Sequence, residues 1–308
     1  MSKNLNLLMI GAMYENGGNT THRFLDGHPQ LFVYPFESQL GTKFVVDDFT
    51  SLFPVKYRWP VFPLDGTAYG DYKLIMDEEC KVRARTPHVS KFRHMKLDLS
   101  DDERCDVYQK YIRKWGRSRA NNVLAFFRST FDVWQNCRRT GKEKFYVGYS
   151  PVLVIDADKI LTECPRAHFL HIVRNPWSAY ADTKKRPVPL SLERYIFAWN
   201  TNQYFALLFQ KKFPGRMHIL RLEDILKNPV HTLGTFCEKL GLQRSDSLKE
   251  VSWNGEALQE VFPWGTIRRA TVEANRQTAN ELSKQEQKEV RERTWPYLKD
   301  LGYNGFIR

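Results

Sequence analysis

A glycine-rich loop behind an apolar segment is the part of the sequence best suited to bind an anion. The apolar run Leu7–Ile10 breaks at Gly11, and a helix-like run follows at 22–26. The loop between them ends with Gly17, Gly18, Asn19, Thr20 and Thr21. Glycine lets the backbone approach an anion closely, N–H groups at a helix start point towards it, and threonine hydroxyls add donors. The pattern predicts a phosphate-binding turn, with an ordinary strand-to-helix turn as the alternative; the Gly-Lys-Ser/Thr of a Walker A motif is absent.

Apolar and helical segments alternate along the chain and indicate the scaffold that holds this loop. Short apolar runs predict strands at 7–10, 31–34, 145–150, 167–173 and 217–221. Helices are predicted at 152–161, 192–211, 229–241 and 283–293, and the polar stretch 245–280 is predicted to form loops. This alternation predicts an α/β fold with a central, mainly parallel sheet. Arg174 directly follows one predicted strand, at the end of the sheet where open α/β folds bind ligands.

Residues 43–145 differ in composition from the rest of the chain, because they contain many aromatic residues and several basic runs. A capping-box pattern at Ser100–Glu103 and an apolar-faced run from Val123 to Cys137 predict helices here. We expect one domain over residues 1–308, in which a helical and irregular insert at about 43–145 shapes the acceptor side of a pocket. A structural cap over the sheet edge is the alternative for any given residue.

Composition narrows the class of protein. The 308 residues carry a net charge of +12, which suits an anionic ligand. A solvated basic surface that binds no ligand is the alternative. The sequence shows neither a signal-peptide pattern nor an apolar stretch of about 18 residues, so no membrane contact is expected. The five scattered cysteines, without CxxC spacing, fit reduced cytosolic thiols better than disulfides or a zinc site. We expect a cytoplasmic protein with no metal site.

Several short motifs, in their order along the chain, together resemble the PAPS-dependent sulfotransferase family (PAPS is 3′-phosphoadenosine-5′-phosphosulfate). They are the glycine-rich loop with Leu25–Pro29, Ser150-Pro151, Ile172–Pro176, Leu222–Ile225, Asn228-Pro229, Leu240–Leu242 and Leu301–Tyr303. The resemblance implies a P-loop-like three-layer fold with helices on both faces of the sheet. It also implies metal-independent transfer of a sulfuryl group from PAPS to a hydroxyl or amine of a small or medium acceptor.

The resemblance implies a role for each matching residue. The loop residues Gly17, Gly18, Asn19, Thr20 and Thr21 would wrap the 5′-phosphosulfate. Arg174 would pair with the 3′-phosphate, for which a bidentate guanidinium is well suited, with a plain salt bridge as the alternative. Arg268, Arg269 or Arg276 would close over the nucleotide. Glu37 matches the place of a glutamate base in several branches of the family. The alternatives are that Glu37 is an N-cap or surface carboxylate and that His88 or His94 is the base. His22 and Arg23, just past the loop, would touch the sulfuryl group.

Three positions depart from the family pattern. Glu15 or Asn16 stands where the family has a cation, Tyr149 replaces a lysine, and Asp182 replaces a serine that binds the 3′-phosphate. Either other residues have taken these roles or the donor is not PAPS. The candidate replacements are Lys43, His22, Arg23, Lys184 and Lys185.

Two other functional classes are consistent with the sequence. A kinase-like, nucleotide-dependent transferase is disfavoured by the missing Gly-Lys-Ser/Thr and by the missing apolar run ending in aspartate, and magnesium dependence would distinguish it. A non-catalytic anion or nucleic-acid binder is favoured only by the net charge, and no nucleic-acid recognition motif is visible. The partners expected are therefore a nucleotide donor and a small-molecule acceptor, with the acceptor's identity and the oligomeric state left open.

Overall fold

A computed structural model of the chain describes residues 5–258 and 271–307. Its strands are β1 Asn6–Ala12, β2 Leu31–Val33, β3 Phe145–Pro151, β4 His168–Val173, β5 Met217–Arg221, β6 Ser252–Trp253 and β7 Glu256–Ala257. Its α-helices are α1 Gly18–Leu25, α2 Ala68–Leu74, α3 Glu78–Arg85, α4 Asp101–Trp115, α5 Arg119–Val133, α6 Ala157–Glu163, α7 Pro176–Lys184, α8 Leu192–Lys212, α9 Leu222–Lys227, α10 Pro229–Lys239, α11 Val272–Ala279 and α12 Lys284–Leu298. Short 3₁₀ turns lie at Val55–Tyr57, Pro87–Val89, Leu153–Asp156 and Asp246–Lys249.

The main sheet has the strand order β2-β3-β1-β4-β5, and every neighbouring pair is parallel. This confirms the predicted parallel sheet. Strand β1 lies between β3 and β4, with Ala12 opposite Pro151 on one side and Ile172 on the other. Because the carboxyl ends of these strands meet at one edge, the segments that follow them are neighbours in space.

Both faces of the sheet are covered, which confirms the three-layer α/β fold. Successive residues of a strand point to opposite faces, and in β1 Leu7 and Met9 join one apolar core while Leu8 and Ile10 join the other. The first core takes side chains from α4, α5, α6, α8 and α12, and the second takes them from α1, α9 and α10. A strand buried on both faces needs a continuous apolar run, and β1 has one.

Capping residues account for several helix starts. Ser100 accepts the Glu103 N–H at the start of α4, and Ser283 and Glu286 form a complete capping box at the start of α12, as predicted. The prediction of loops throughout 245–280 is wrong for residues 272–279, because α11 forms there with Thr271 as its cap. The polar composition of this stretch indicated a loop, but α11 is stabilised by packing against α7. Within the described ranges, no helix is both long and apolar enough to cross a membrane.

Candidate active site

A cavity of about 460 Å³ opens at the carboxyl edge of the sheet. Its walls come from the loop after β1, the start of α1, the segment after β2, the ends of β3 and β4, α7 and the segment after it, α9 and α11. The described residues that line it are Tyr14, Glu15, Gly17, Gly18, Asn19, Thr20, Arg23, Glu37, Tyr57, Tyr149, Pro151, Arg174, Asp182, Lys185, Arg186, Pro187, Leu222, Leu226, Thr271, Ala274, Asn275 and Thr278. Most of the residues predicted from separate parts of the sequence therefore face one space.

The glycine-rich loop forms the predicted turn into a helix. Gly17 caps α1 with a left-handed φ of 84° and supplies no side-chain cap, so the first N–H groups of the helix are available to a ligand. A Cβ at Gly18 would lie 2.4 Å from the Tyr149 ring. Only glycine avoids this clash. Asn19 and Thr20 line the cavity, whereas Thr21 is buried and donates its hydroxyl to the Gly17 carbonyl at 3.0 Å. Thr21 thus supports the turn rather than the cavity wall.

Arg174, directly after β4, is held by three different groups. Its Nε donates to Asn275 Oδ1 at 2.7 Å, and its Nη1 donates to the Glu15 carbonyl oxygen at 2.9 Å and to Asp182 Oδ2 at 2.8 Å. Among the described residues, the Nη2 group has no hydrogen-bond acceptor and remains for a ligand. The side chain is 11% exposed and preorganised at the cavity wall.

In the described part of the chain, the cations beside Arg174 are matched by carboxylates, as Arg174 itself is by Asp182. Lys185 pairs with Glu281 at 2.6 Å and with Asp182 at 3.3 Å. Arg186 lies 3.8 Å from Glu15 Oε1. Burial raises the pKa of Glu15, with Arg186 opposing this effect and Asp182 adding to it. Glu15 also has a left-handed φ of 59°, a conformation that costs a non-glycine residue about 1–2 kcal/mol.

Glu37 also lines the cavity, in the segment after β2. Burial and the neighbouring Glu79 carboxylate raise the pKa of Glu37 to about 7, while a hydrogen bond from Tyr57 and the charges of Lys91 and Lys56 oppose the rise. A carboxylate that titrates near neutral pH and faces a cavity is suited to take a proton from a bound ligand.

The structure does not bring every predicted site residue to the cavity. His22 is fully buried, with its ring against Arg23 and Tyr149, and burial lowers its pKa well below the usual value. The structure therefore does not bring His22 to the cavity, because its position on α1 turns the side chain into the core. Arg23, in contrast, is buried but reaches the cavity wall, and it donates to the Tyr34 carbonyl at 3.0 Å.

The other predicted cations and bases are distributed unevenly. Of the proposed replacement cations, Arg23 and Lys185 line the cavity, whereas Lys184 pairs with Glu286 and Lys43 is exposed away from it. His88, His94 and Arg276 are exposed and do not line the cavity. Arg268 and Arg269 lie outside the described residues.

Of the cavity residues that the sequence interpretation missed, three contact charged side chains of the site. Asn275 holds Arg174 but belongs to the polar stretch read as a loop. Tyr14 lies between the buried strand and Glu15, and its ring faces the Arg186 guanidinium at 4.9 Å. Tyr57 belongs to the insert, where aromatic residues are too frequent for one to be singled out. Only the position of Tyr14, three residues before the predicted ligand Gly17, was a usable signal.

The comparisons with known proteins agree with this architecture. A model described as "Sulfotransferase family" matches residues 68–246. The sulfotransferase domain from the Synechococcus PCC 7002 olefin synthase is 16% identical, with a TM-score of 0.53 and 96% of each chain covered. The sulfotransferase domain from the curacin biosynthetic pathway is 14% identical, with a TM-score of 0.50, 94% of this chain and 98% of that chain covered. No curated protein sequence matches the chain. At these identities the structural likeness establishes the fold alone.

Proposed function

The chain belongs to the sulfotransferase family and is an enzyme of that class, and we propose that it transfers a sulfuryl group from PAPS to a hydroxyl or amine of a small or medium acceptor. One observation carries the proposal: the helix start at Gly17–Thr20, the arginine after β4 and the carboxylate Glu37 all face one cavity. These are the parts needed to hold a phosphosulfate, to hold a second phosphate and to remove a proton.

The residues divide the work of transfer between them. The N–H groups at the start of α1 hold the 5′-phosphosulfate, and Arg174 offers its Nη2 group to the 3′-phosphate. Glu37 takes the acceptor's proton as the acceptor oxygen or nitrogen bonds to sulfur and the sulfur–oxygen bond to the donor phosphate breaks. PAPS, when bound, supplies the sulfuryl group, and adenosine 3′,5′-bisphosphate is the product. Positioning and electrostatic stabilisation supply most of the catalysis.

Two further parts of the proposal concern the insert and the compartment. Tyr57 lies on the Glu37 side of the cavity, which supports an insert at about 43–145 that shapes the acceptor pocket within one domain. All five cysteines are free thiols, and four of them are buried. Unpaired thiols of this kind support a reducing, cytoplasmic environment.

Calorimetry with nucleotides tests the donor assignment. Adenosine 3′,5′-bisphosphate, 5′-AMP and ADP are titrated into the protein with and without magnesium, and PAPS turnover is measured with a panel of phenols, alcohols and amines. We expect metal-independent preference for the bisphosphate and sulfation of at least one acceptor. Equal affinity for the three nucleotides, or binding that needs magnesium, would contradict PAPS as the donor.

Replacing Asp182 by serine is expected to raise the affinity for adenosine 3′,5′-bisphosphate. The Asp182 carboxylate holds Arg174 Nη1 at 2.8 Å and repels a phosphate placed beside that guanidinium. Its removal should tighten binding about tenfold, or ~1.4 kcal/mol, and leave 5′-AMP affinity unchanged. Calorimetry of both nucleotides measures this, with the exposed Asp300→Asn as a matched control. An equal gain for 5′-AMP would show that Asp182 does not face the 3′-phosphate.

A further inference from the structure

The backbone that follows Glu37 is held on two sides by the insert. The Gly41 N–H donates to the Lys56 carbonyl oxygen at 3.1 Å, and the Asp77 N–H donates to the Gln39 carbonyl oxygen at 2.8 Å. A Cβ at Gly41 would lie 1.6 Å from a carbonyl oxygen of the facing 3₁₀ turn, so only glycine permits this approach. The turn Val55–Tyr57 and the start of α3 are thereby brought to the Glu37 side of the cavity.

Two side chains from these elements contact Glu37 in different ways. The Tyr57 side chain lies beside the Glu37 carboxylate, whose pKa it lowers as a hydrogen-bond donor, and both residues line the cavity. Glu79 lies outside the cavity with a side chain that is 10% exposed. Its Oε2 accepts the Glu37 backbone N–H at 3.3 Å, and its Oε1 pairs with Lys91. The Tyr57 contact orients the Glu37 carboxylate. The Glu79 contact anchors the Glu37 backbone and places a second negative charge beside the Glu37 carboxylate.

We propose that Tyr57 and Glu79 are positioning residues that orient Glu37 and set its proton affinity, which rests on the proposed function of Glu37 as the base. With the Tyr57 O–H donating to one carboxylate oxygen, the other oxygen is left to accept the acceptor's proton. Glu79, fixed by the backbone N–H and by Lys91, opposes ionisation of Glu37 and makes it a stronger proton acceptor. Two neighbouring carboxylates in unequal environments have different proton affinities, so one can act as a base while the other stays ionised.

The two contacts act on the Glu37 carboxyl with opposite signs. The Glu79 charge raises the pKa of Glu37, whereas the Tyr57 hydrogen bond lowers it. Burial raises the pKa of Tyr57 far above its usual value, so its hydroxyl stays protonated and remains a donor. The titratable or charged groups that face Glu37 are Tyr14, Lys56, Tyr57, Glu79, Lys91 and Tyr149. A merely structural role for Tyr57 and Glu79 predicts loss of stability without opposite shifts.

Glu79→Gln and Tyr57→Phe separate these possibilities through two pH-dependent readouts. The first is sulfate release from PAPS with water as the acceptor. The second is a ¹³C NMR titration of the Glu37 carboxyl carbon, assigned by its disappearance in Glu37→Gln. Wild type should show a midpoint of about 7 in both. Glu79→Gln should lower the midpoint by about one pH unit, and Tyr57→Phe should raise it by about one unit. Tyr57→Phe should also reduce turnover about tenfold.

The outcomes keep the two proposals distinguishable. Midpoints that stay fixed, or that shift in the same direction in both variants, would overturn the roles of Tyr57 and Glu79. If wild type releases no sulfate and sulfates no acceptor, the proposed function fails, and the NMR midpoints still decide how these residues act on Glu37. Asp48→Asn removes an exposed carboxylate from the same insert and should leave both readouts unchanged.

Discussion

Replacing Glu37 by glutamine is expected to lower sulfuryl-transfer turnover about 10²–10⁴-fold, the usual contribution of a general base. Glutamine keeps the size of the side chain and its hydrogen bond with Tyr57 but cannot accept the acceptor's proton. Turnover with saturating PAPS, followed as bisphosphate formation, measures the effect. In wild type, activity should rise with pH through a midpoint of about 7, because the base acts only when ionised.

The nucleotide supplies the internal control for this variant. Arg174 is held by Asn275, Glu15 and Asp182 and not by Glu37, so calorimetric affinity for adenosine 3′,5′-bisphosphate should change little. The exposed Glu250→Gln makes the same chemical change away from the cavity and should keep full turnover. A Glu37→Gln enzyme with wild-type turnover would remove Glu37 from catalysis, and the base would have to be sought elsewhere.

The local parts of this site were accessible from the sequence because each depends on a few adjacent residues. A buried strand, a glycine turn and a helix start can be recognised within a segment of about 20 residues. The position of Arg174 follows because it comes directly after β4. Parallel strands then bring such segments to one edge whatever joins them. The fold and the positions of the loop, Arg174 and Glu37 follow from this logic.

Features set by helix phase or by long-range packing were not accessible. Thr20 and His22 are two residues apart on α1, yet Thr20 lines the cavity and His22 is fully buried, because about 200° of helix separates them. Asn275 reaches Arg174 across 101 positions of sequence, and Tyr57 reaches Glu37 through an insert whose path no local pattern fixes. The sequence therefore indicates the main ligand-binding residues of such a site, but not the side chains that contact and orient them.

Asp182 shows how a departure from a family pattern gains meaning from geometry. In the sequence its carboxylate only conflicts with a phosphate. In the structure it holds Arg174 Nη1 and Lys185, while Arg174 Nε is held by Asn275. The guanidinium is therefore already oriented without a ligand, which lowers the entropy cost of binding, but part of its charge is compensated. The same carboxylate thus preorganises the arginine and weakens its attraction for an anion.

Replacing Arg174 by alanine is expected to weaken binding of adenosine 3′,5′-bisphosphate by about 1.5–3 kcal/mol, the range for a lost charged hydrogen bond. This corresponds to roughly 10- to 150-fold in the dissociation constant. The loss has two sources, since the phosphate loses its cation and Asp182 loses the partner that compensates it. Calorimetry of the variant measures the total, and Arg166→Ala, which removes an exposed arginine near the other end of β4, should bind as wild type does.

A double-mutant cycle separates the two sources. If repulsion from an uncompensated Asp182 contributes, Arg174→Ala combined with Asp182→Ser should bind the bisphosphate more tightly than Arg174→Ala alone. Arg174→Lys keeps the charge without the planar, two-donor geometry and should fall between wild type and alanine. Affinity for 5′-AMP should change little in every variant, because it lacks the 3′-phosphate. Unchanged bisphosphate affinity in Arg174→Ala would remove this residue from the donor site, and the Asp182 argument would fall with it.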